Sequence, residues 1–261
     1  MIDDIEAVQV VASLALVGLA AVLSGLLRLG LTRRLTVASV RAAVQLLAVG
    51  FLFGFIIDAD RAMVLAWLWV AVMVVVTSTV ARRRAPELPG GGPIAGITVA
   101  FTVGVCLLVI FGLRVLDYEP VNVIVIAGIT IANSMPSQVL GSNRLVAELR
   151  DNRGQIEALL ALGMSRWQVI RFTAGRIVQT ALIPQIEKTN VVGLIALPGA
   201  MTGLLLAGAD PIDAVLVQLI VMYLVLGAVA TSVLVTILIG MSRLFTPDRR
   251  LLPLSPAERT G

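Results

Sequence analysis

Long apolar runs alternate with short polar punctuation along this chain, and that pattern sets the expected architecture. Seven runs reach the roughly 20 residues that an α-helix needs to cross about 30 Å of hydrocarbon. They are residues 8–27, 37–57, 62–81, 94–113, 121–142, 190–208 and 214–240. The pattern predicts an all-α, polytopic integral membrane protein of about seven transmembrane helices, built as a single membrane domain over residues 1–261. Three runs carry charged, amide or proline residues of particular interest. Arg41 and Gln45 fall near the start of 37–57, Asn122, Asn133 and Pro136 lie in 121–142, and Pro198-Gly199 interrupts 190–208. The acidic start, Asp3, Asp4 and Glu6, lacks the basic region of a secretory signal, so the first run reads as a retained span.

Residues 144–189 break the pattern with a charge-rich stretch between two apolar runs. Asp151 or Asn152 is placed to cap a short helix with Ile156, Leu159 and Leu160 on one side. Gly163 should end that helix, and Ser165 with Gln168 reads as a capping box opening the next. The second helix repeats the apolar stripe through Trp167, Ile170, Ala174, Ile177, Val178 and Ala181. Arg153, Glu157, Arg166 and Arg171 form the opposite, charged face. A short amphipathic element that leaves the membrane and turns back is what a docking element for a cytoplasmic partner requires.

Composition and charge sharpen this picture. The chain is 58% hydrophobic and 14% charged, which excludes an ordinary soluble domain of 261 residues. A net charge of +4 on such a chain is no argument for nucleic acid. All but two of the 20 basic residues, Arg61 and Arg114, fall on one side of the seven-span arrangement, while the alternate connections hold Asp58, Asp60, Asp117, Glu119, Asp210 and Asp213. The positive-inside rule then places the N-terminus outside, the C-terminus inside and residues 144–189 in the cytoplasm, in a cell (inner) membrane. The basic stretch Arg82–Arg84 reads as a stop-transfer anchor, with contact to membrane lipid as its other role. There is no histidine, and the one cysteine, Cys106, sits in an apolar run, which removes histidine metal sites, catalytic triads and disulfides from consideration. The only lysine, Lys188, follows Glu187 rather than a glycine, so no phosphate-binding loop is present, and ATP with its magnesium, if ATP hydrolysis drives this protein, must be bound by another polypeptide.

The E-A-x-x-x-x-G spacing of Glu157, Ala158 and Gly163 is similar to the coupling-helix loop of ABC transporter permeases. The longer run from Asn133 to Ala209, with NRL, EALLALG, ALIP, VVGLIALPGAMTG and LAGADP, resembles the iron-export and aluminium-tolerance (FetB-like) ABC permease family. One departure from importer permeases is clear: Ile183-Pro184 stands far beyond Gly163, so importer details do not transfer. The resemblance implies a permease subunit working as a homodimer with two copies of a separate ATPase, and an export function with iron as substrate. It also implies that Arg153, Glu157, Ala158, Gly163, Ser165, Arg166 and Trp167 form the ATPase-coupling segment.

Candidate translocation residues are those whose polarity is costly in hydrocarbon. Arg41 either snorkels to the interface or lines the path, and Gln45 one turn on either bonds across a helix interface or joins it. Asn133, Ser134, Ser137, Gln138, Ser142 and Asn143 form a polar seam around Pro136, readable as oxygen donors for a path or as helix–helix glue. Gly199 and Gly203, beside Pro198, Met201 and Thr202, read as close packing or as a kinked gate. Met135, Met201 and Met222 offer soft sulfur, but the residues identify no metal ligand set. An ABC permease for a non-metal substrate and an ion-gradient-driven carrier both stay open. The carrier needs an ionisable group deep in a span, and no Asp or Glu lies deep in any of the seven runs.

Overall fold

The computed structural model describes residues 7–193 and 197–244. Among them are nine α-helices: α1 (Ala7–Leu26), α2 (Thr32–Ile57), α3 (Ala62–Arg84), α4 (Gly91–Gly112), α5 (Pro120–Asp151), α6 (Arg153–Ala161), α7 (Arg166–Asn190), α8 (Gly199–Leu206) and α9 (Pro211–Leu244). Five of these, α2, α3, α4, α5 and α9, are long and apolar enough to cross a membrane, so the chain is a multi-pass membrane protein. The tail after Leu244, with Arg249, Arg250 and Arg259, lies outside the described residues.

The chain falls into two compact units, divided at Ala62/Met63, Pro198/Gly199 and Val215/Leu216. In the first, α1 and α2 form a hairpin. The turn is locked by Ser24, whose backbone oxygen accepts from Leu29 N at 2.9 Å and whose hydroxyl accepts from Leu31 N at 3.1 Å. Thr32 Oγ1 donates to Ala21 O at 3.1 Å. Beyond Ile56, α2 buries almost nothing, leaving Val37, Val44, Leu47, Phe51 and Phe55 exposed as a lipid-facing surface requires.

The second unit is a bundle of α3, α4, α5 and α9, with α6 and α7 laid on α5. Its registers come from specific contacts. Trp67 Nε1 donates to Tyr118 Oη at 2.9 Å, and Tyr118 packs edge-on against Phe111 at 5.2 Å. At the opposite end Asn143 Nδ2 approaches Arg84 O at 3.5 Å, and Arg150 pairs with Glu87 at 3.1 Å. An aromatic pair at one end and Arg82–Arg84 at the other are the markers of two membrane interfaces. Helix α5 is one continuous rod despite Pro136, opened by Pro120 at its first position. It runs well past residue 142, so residues 144–151 are its extension and not the start of a loop.

Run 190–208 differs most from expectation. No single helix covers it: α7 ends at Asn190, an irregular stretch follows, and α8 has only 8 residues. Eight residues span about 12 Å, far short of the hydrocarbon thickness. Gly193, in the left-handed region at φ +89°, and Pro198 keep the chain from continuing as a helix. Residues 194–196, within the VVGLIALPGAMTG motif, lie outside the described residues.

Candidate docking hairpin and mid-helix polar site

Helices α6 and α7 form a helical hairpin whose turn is fully specified by local chemistry. Gly163 has φ +89°. Its N–H donates to Leu160 O at 3.1 Å, and Met164 N–H donates to Leu159 O at 3.1 Å, the paired bonds of a Schellman motif. Ser165 then caps α7: its hydroxyl accepts from Gln168 N at 3.3 Å, and its N–H donates to Gln168 Oε1 at 2.7 Å. The α6 start differs from the expected cap. Asn152 occupies the N-cap position, but its amide turns back to Glu148, so no side chain caps α6.

One face of the hairpin is anchored. Ile156, Leu160, Val169, Ile170, Ile177 and Ala181 are buried with Leu145, Val146 and Leu149 of α5. Arg176 bridges to Glu148 at 2.7 Å across α5 and α7. The other face is free. Arg153 and Glu157 pair at 2.8 Å on the exposed side of α6, with Ala158 and Arg171 also exposed and Arg166 partly covered. Trp167, expected in the apolar stripe, is instead 61% exposed, and Val169 takes its place in the core. Leu162, which the sequence reading passed over, is 82% exposed at the tip beside Gly163. Its only sequence signal is a large apolar residue just before a helix-ending glycine.

The α5 polar seam divides between two faces. Ser134 and Gln138 point into the packing of α4, α5 and α9, where Gln138 Nε2 donates to Ala95 O at 3.3 Å and Thr236 bonds Thr98 at 3.3 Å. Ser137 and Ser142 are also buried. The hydroxyls of Thr102 and Ser232 and the Gln138 carbonyl oxygen are buried with no hydrogen-bond partner among the described residues. These polar groups are held within the packing between helices, where small and hydroxyl side chains let the helices approach closely.

Asn133 lies on the other face, toward α7. Helix α7 runs antiparallel along α5, through Glu148–Arg176, Gly141 against Ala181, and Asn133–Lys188, where Nζ to Oδ1 is 3.5 Å. Counting ten residues back along α5 from Asn143, Asn133 and Lys188 sit about 15 Å from the Arg84 end. Pro120 lies about 20 Å beyond, at the other end. Lys188 and its neighbour Glu187, assigned by charge partition to a connection, are therefore level with the middle of a membrane-crossing helix. The sequence hid them because α7 is polar overall, and polar helices count as loops in a hydropathy reading.

The remaining candidates lie in the first unit. Arg41 and Gln45 are exposed, lining a shallow groove on α2 with Thr36, Val37, Val40 and Val44. Met201 and Thr202 are half-buried on α8. A Cβ added at Gly199 or Gly203 meets nothing within 4 Å, so neither mediates close packing within the described chain. The packing glycines are Gly96, where a Cβ lies 3.0 Å from Ser78 Oγ, and Gly240, where it lies 2.6 Å from Leu145 Cδ2. Among the described residues no group of three or more acidic or cysteine side chains is placed to hold a metal ion.

Membrane-crossing helices with polar groups held between them define a multi-pass membrane protein. The sequence pattern of the Uncharacterised protein family (UPF0014) matches residues 7–245, and the chain belongs to that family. It is 35% identical over 90% of its length to the UPF0014 membrane protein STAR2 of Oryza sativa subsp. japonica, covering 82% of that protein. It is 30% identical over 94% of its length to Protein ALUMINUM SENSITIVE 3 of Arabidopsis thaliana, covering 89%. It is 27% identical to the Probable iron export permease protein FetB of Escherichia coli (strain K12), covering 92% of each chain. No solved structure matches. The chain is thus a membrane transport permease.

Proposed function

We propose that this chain is the membrane-spanning subunit of an ABC exporter, assembled as a homodimer with two copies of a separate ATPase. The observation that carries the reading is the α6–α7 hairpin. Its turn is rigidly specified, its inner face is anchored on α5, and its outer face offers Arg153, Glu157, Leu162 and Trp167 to a partner. Each permease copy carries one such hairpin, and a dimeric ATPase offers two grooves. Closure of the ATPases around ATP moves both hairpins and, through α7, the polar groups near Asn133. Substrate that binds the two states differently is then moved across. The side bearing the hairpin is cytoplasmic, as the basic residues require. A metal ion is the substrate class, with iron favoured by the name of the bacterial relative.

The test is co-purification of the ATPase with Glu157→Lys, which reverses the charge on the exposed face without touching the anchor. Loss of the ATPase with retained membrane insertion supports the docking role, and full association with normal transport removes it. A second reading gains from Glu187 and Lys188, since an ion-gradient carrier needs ionisable groups at that depth. Transport that continues without ATP and collapses with the ion gradient selects the carrier.

A further inference from the structure

We infer that the broken end of α7 is a cation-binding station of the transport path, with the Glu187 carboxylate as its charged ligand. The inference rests on the cation-transport reading above. Four observations meet at this end. Helix α7 stops at Asn190, level with the middle of α5 through the Lys188–Asn133 contact. A helix C-terminus leaves its last carbonyls unbonded and carries partial negative charge. Here the next two amides, Val191 and Val192, both turn to Thr189 O, so the carbonyls of Glu187 and Lys188 lose the donors that another helical turn would supply. Glu187 itself is exposed and has no hydrogen bond or ion pair among the described residues.

The exposed face around it is mixed. Gln179, Ile183, Ile186, Glu187 and Asn190 follow one another at helical spacing and are all uncovered. An unpaired carboxylate against acyl chains at this depth is costly, so the face is wetted. A half-helix C-terminus with freed carbonyls at mid-membrane depth is how transporters hold small cations. Lys188 lies about 100° around the helix from Glu187 and is held toward Asn133. Its ammonium sits in the last turn, where its positive charge weakens cation binding enough for release. A single carboxylate with carbonyl and amide oxygens makes a weak oxygen site, which transport needs more than a tight one.

The test is Mn²⁺ binding to the full-length protein in lipid nanodiscs, followed by loss of the free-ion EPR signal, with no ATPase present. Glu187→Gln weakens binding by about tenfold or more, the effect of losing the one charged ligand. Glu187→Asp retains binding within about tenfold, and Lys188→Met strengthens it several-fold by removing the nearby positive charge. Unfolding temperatures of all variants are compared with the parent protein. Unchanged binding in Glu187→Gln, equal loss in Glu187→Gln and Glu187→Asp, or no Mn²⁺ binding by the parent protein each overturns the inference. Failure of the ATPase to associate with the parent protein sinks the ABC reading while leaving this result standing, so the two failures are distinguishable.

Discussion

The two ends of α7 are built on opposite principles. At Ser165 the helix begins with its amides satisfied by a reciprocal capping box, directly after a Schellman turn that closes α6. At Asn190 it ends with no side-chain cap and with a glycine three residues on in the left-handed region. A helix end closed by its own side chains resists movement and transmits force. A helix end left open keeps polar groups available for something outside the chain. One helix thus joins a closed turn to an open polar end about 37 Å away, and on the proposed function that contrast links docking to the transport path.

Gly163→Val should break the contrast most strongly. A β-branched residue at φ +89° is strained in any surroundings. The hairpin should lose about 2 kcal/mol of local stability, read as increased protease cleavage near residue 163 and loss of ATPase co-purification, with insertion of α3–α5 unaffected. Ser165→Ala removes one capping acceptor and should cost about 1 kcal/mol. Hydrogen exchange of the first α7 turn should accelerate roughly fivefold, while exchange near Thr189 stays unchanged. Trp167→Ala and Leu162→Ala touch only the exposed tip, so ATPase affinity should fall with little change in permease stability. Asn133→Leu removes the Lys188 acceptor at the open end and should impair transport while leaving ATPase association intact. Smallest of all, Arg153→Ala breaks an exposed i,i+4 pair and should cost below about 0.5 kcal/mol, visible only as a modest salt-dependent change in docking.

The closed end was legible in the sequence and the open end was not. Gly163, Ser165 and Gln168 carry their geometry in residue type and spacing, because local hydrogen bonds fix them. The same holds for the apolar runs that became α2, α3, α4, α5 and α9. Trp167 was misplaced because two adjacent residues, Val169 and Ile170, fill the stripe and leave the larger ring outside. The charge partition places Lys188 in the connection between two spans, because depth is a tertiary property set by the antiparallel pairing of α7 on α5. Arg41 was visible as a costly charge, and it lies on the exposed face of α2 in the first unit. Gly199 and Gly203 had the spacing of packing glycines, yet the close approaches occur at Gly96 and Gly240, where only the opposing side chain reveals them.

The central claim is that α7 reaches from the docking turn to the middle of the membrane. Spin labels at Phe172→Cys and Ile186→Cys, each in a Cys106→Ala background, test it directly through relaxation by nickel-chelating lipid headgroups in nanodiscs. The two positions are about 21 Å apart along the helix. The account predicts strong relaxation at residue 172 and weak relaxation at residue 186. Equally strong relaxation at both would mean that α7 lies along the membrane surface, and the mid-membrane station would be lost with it.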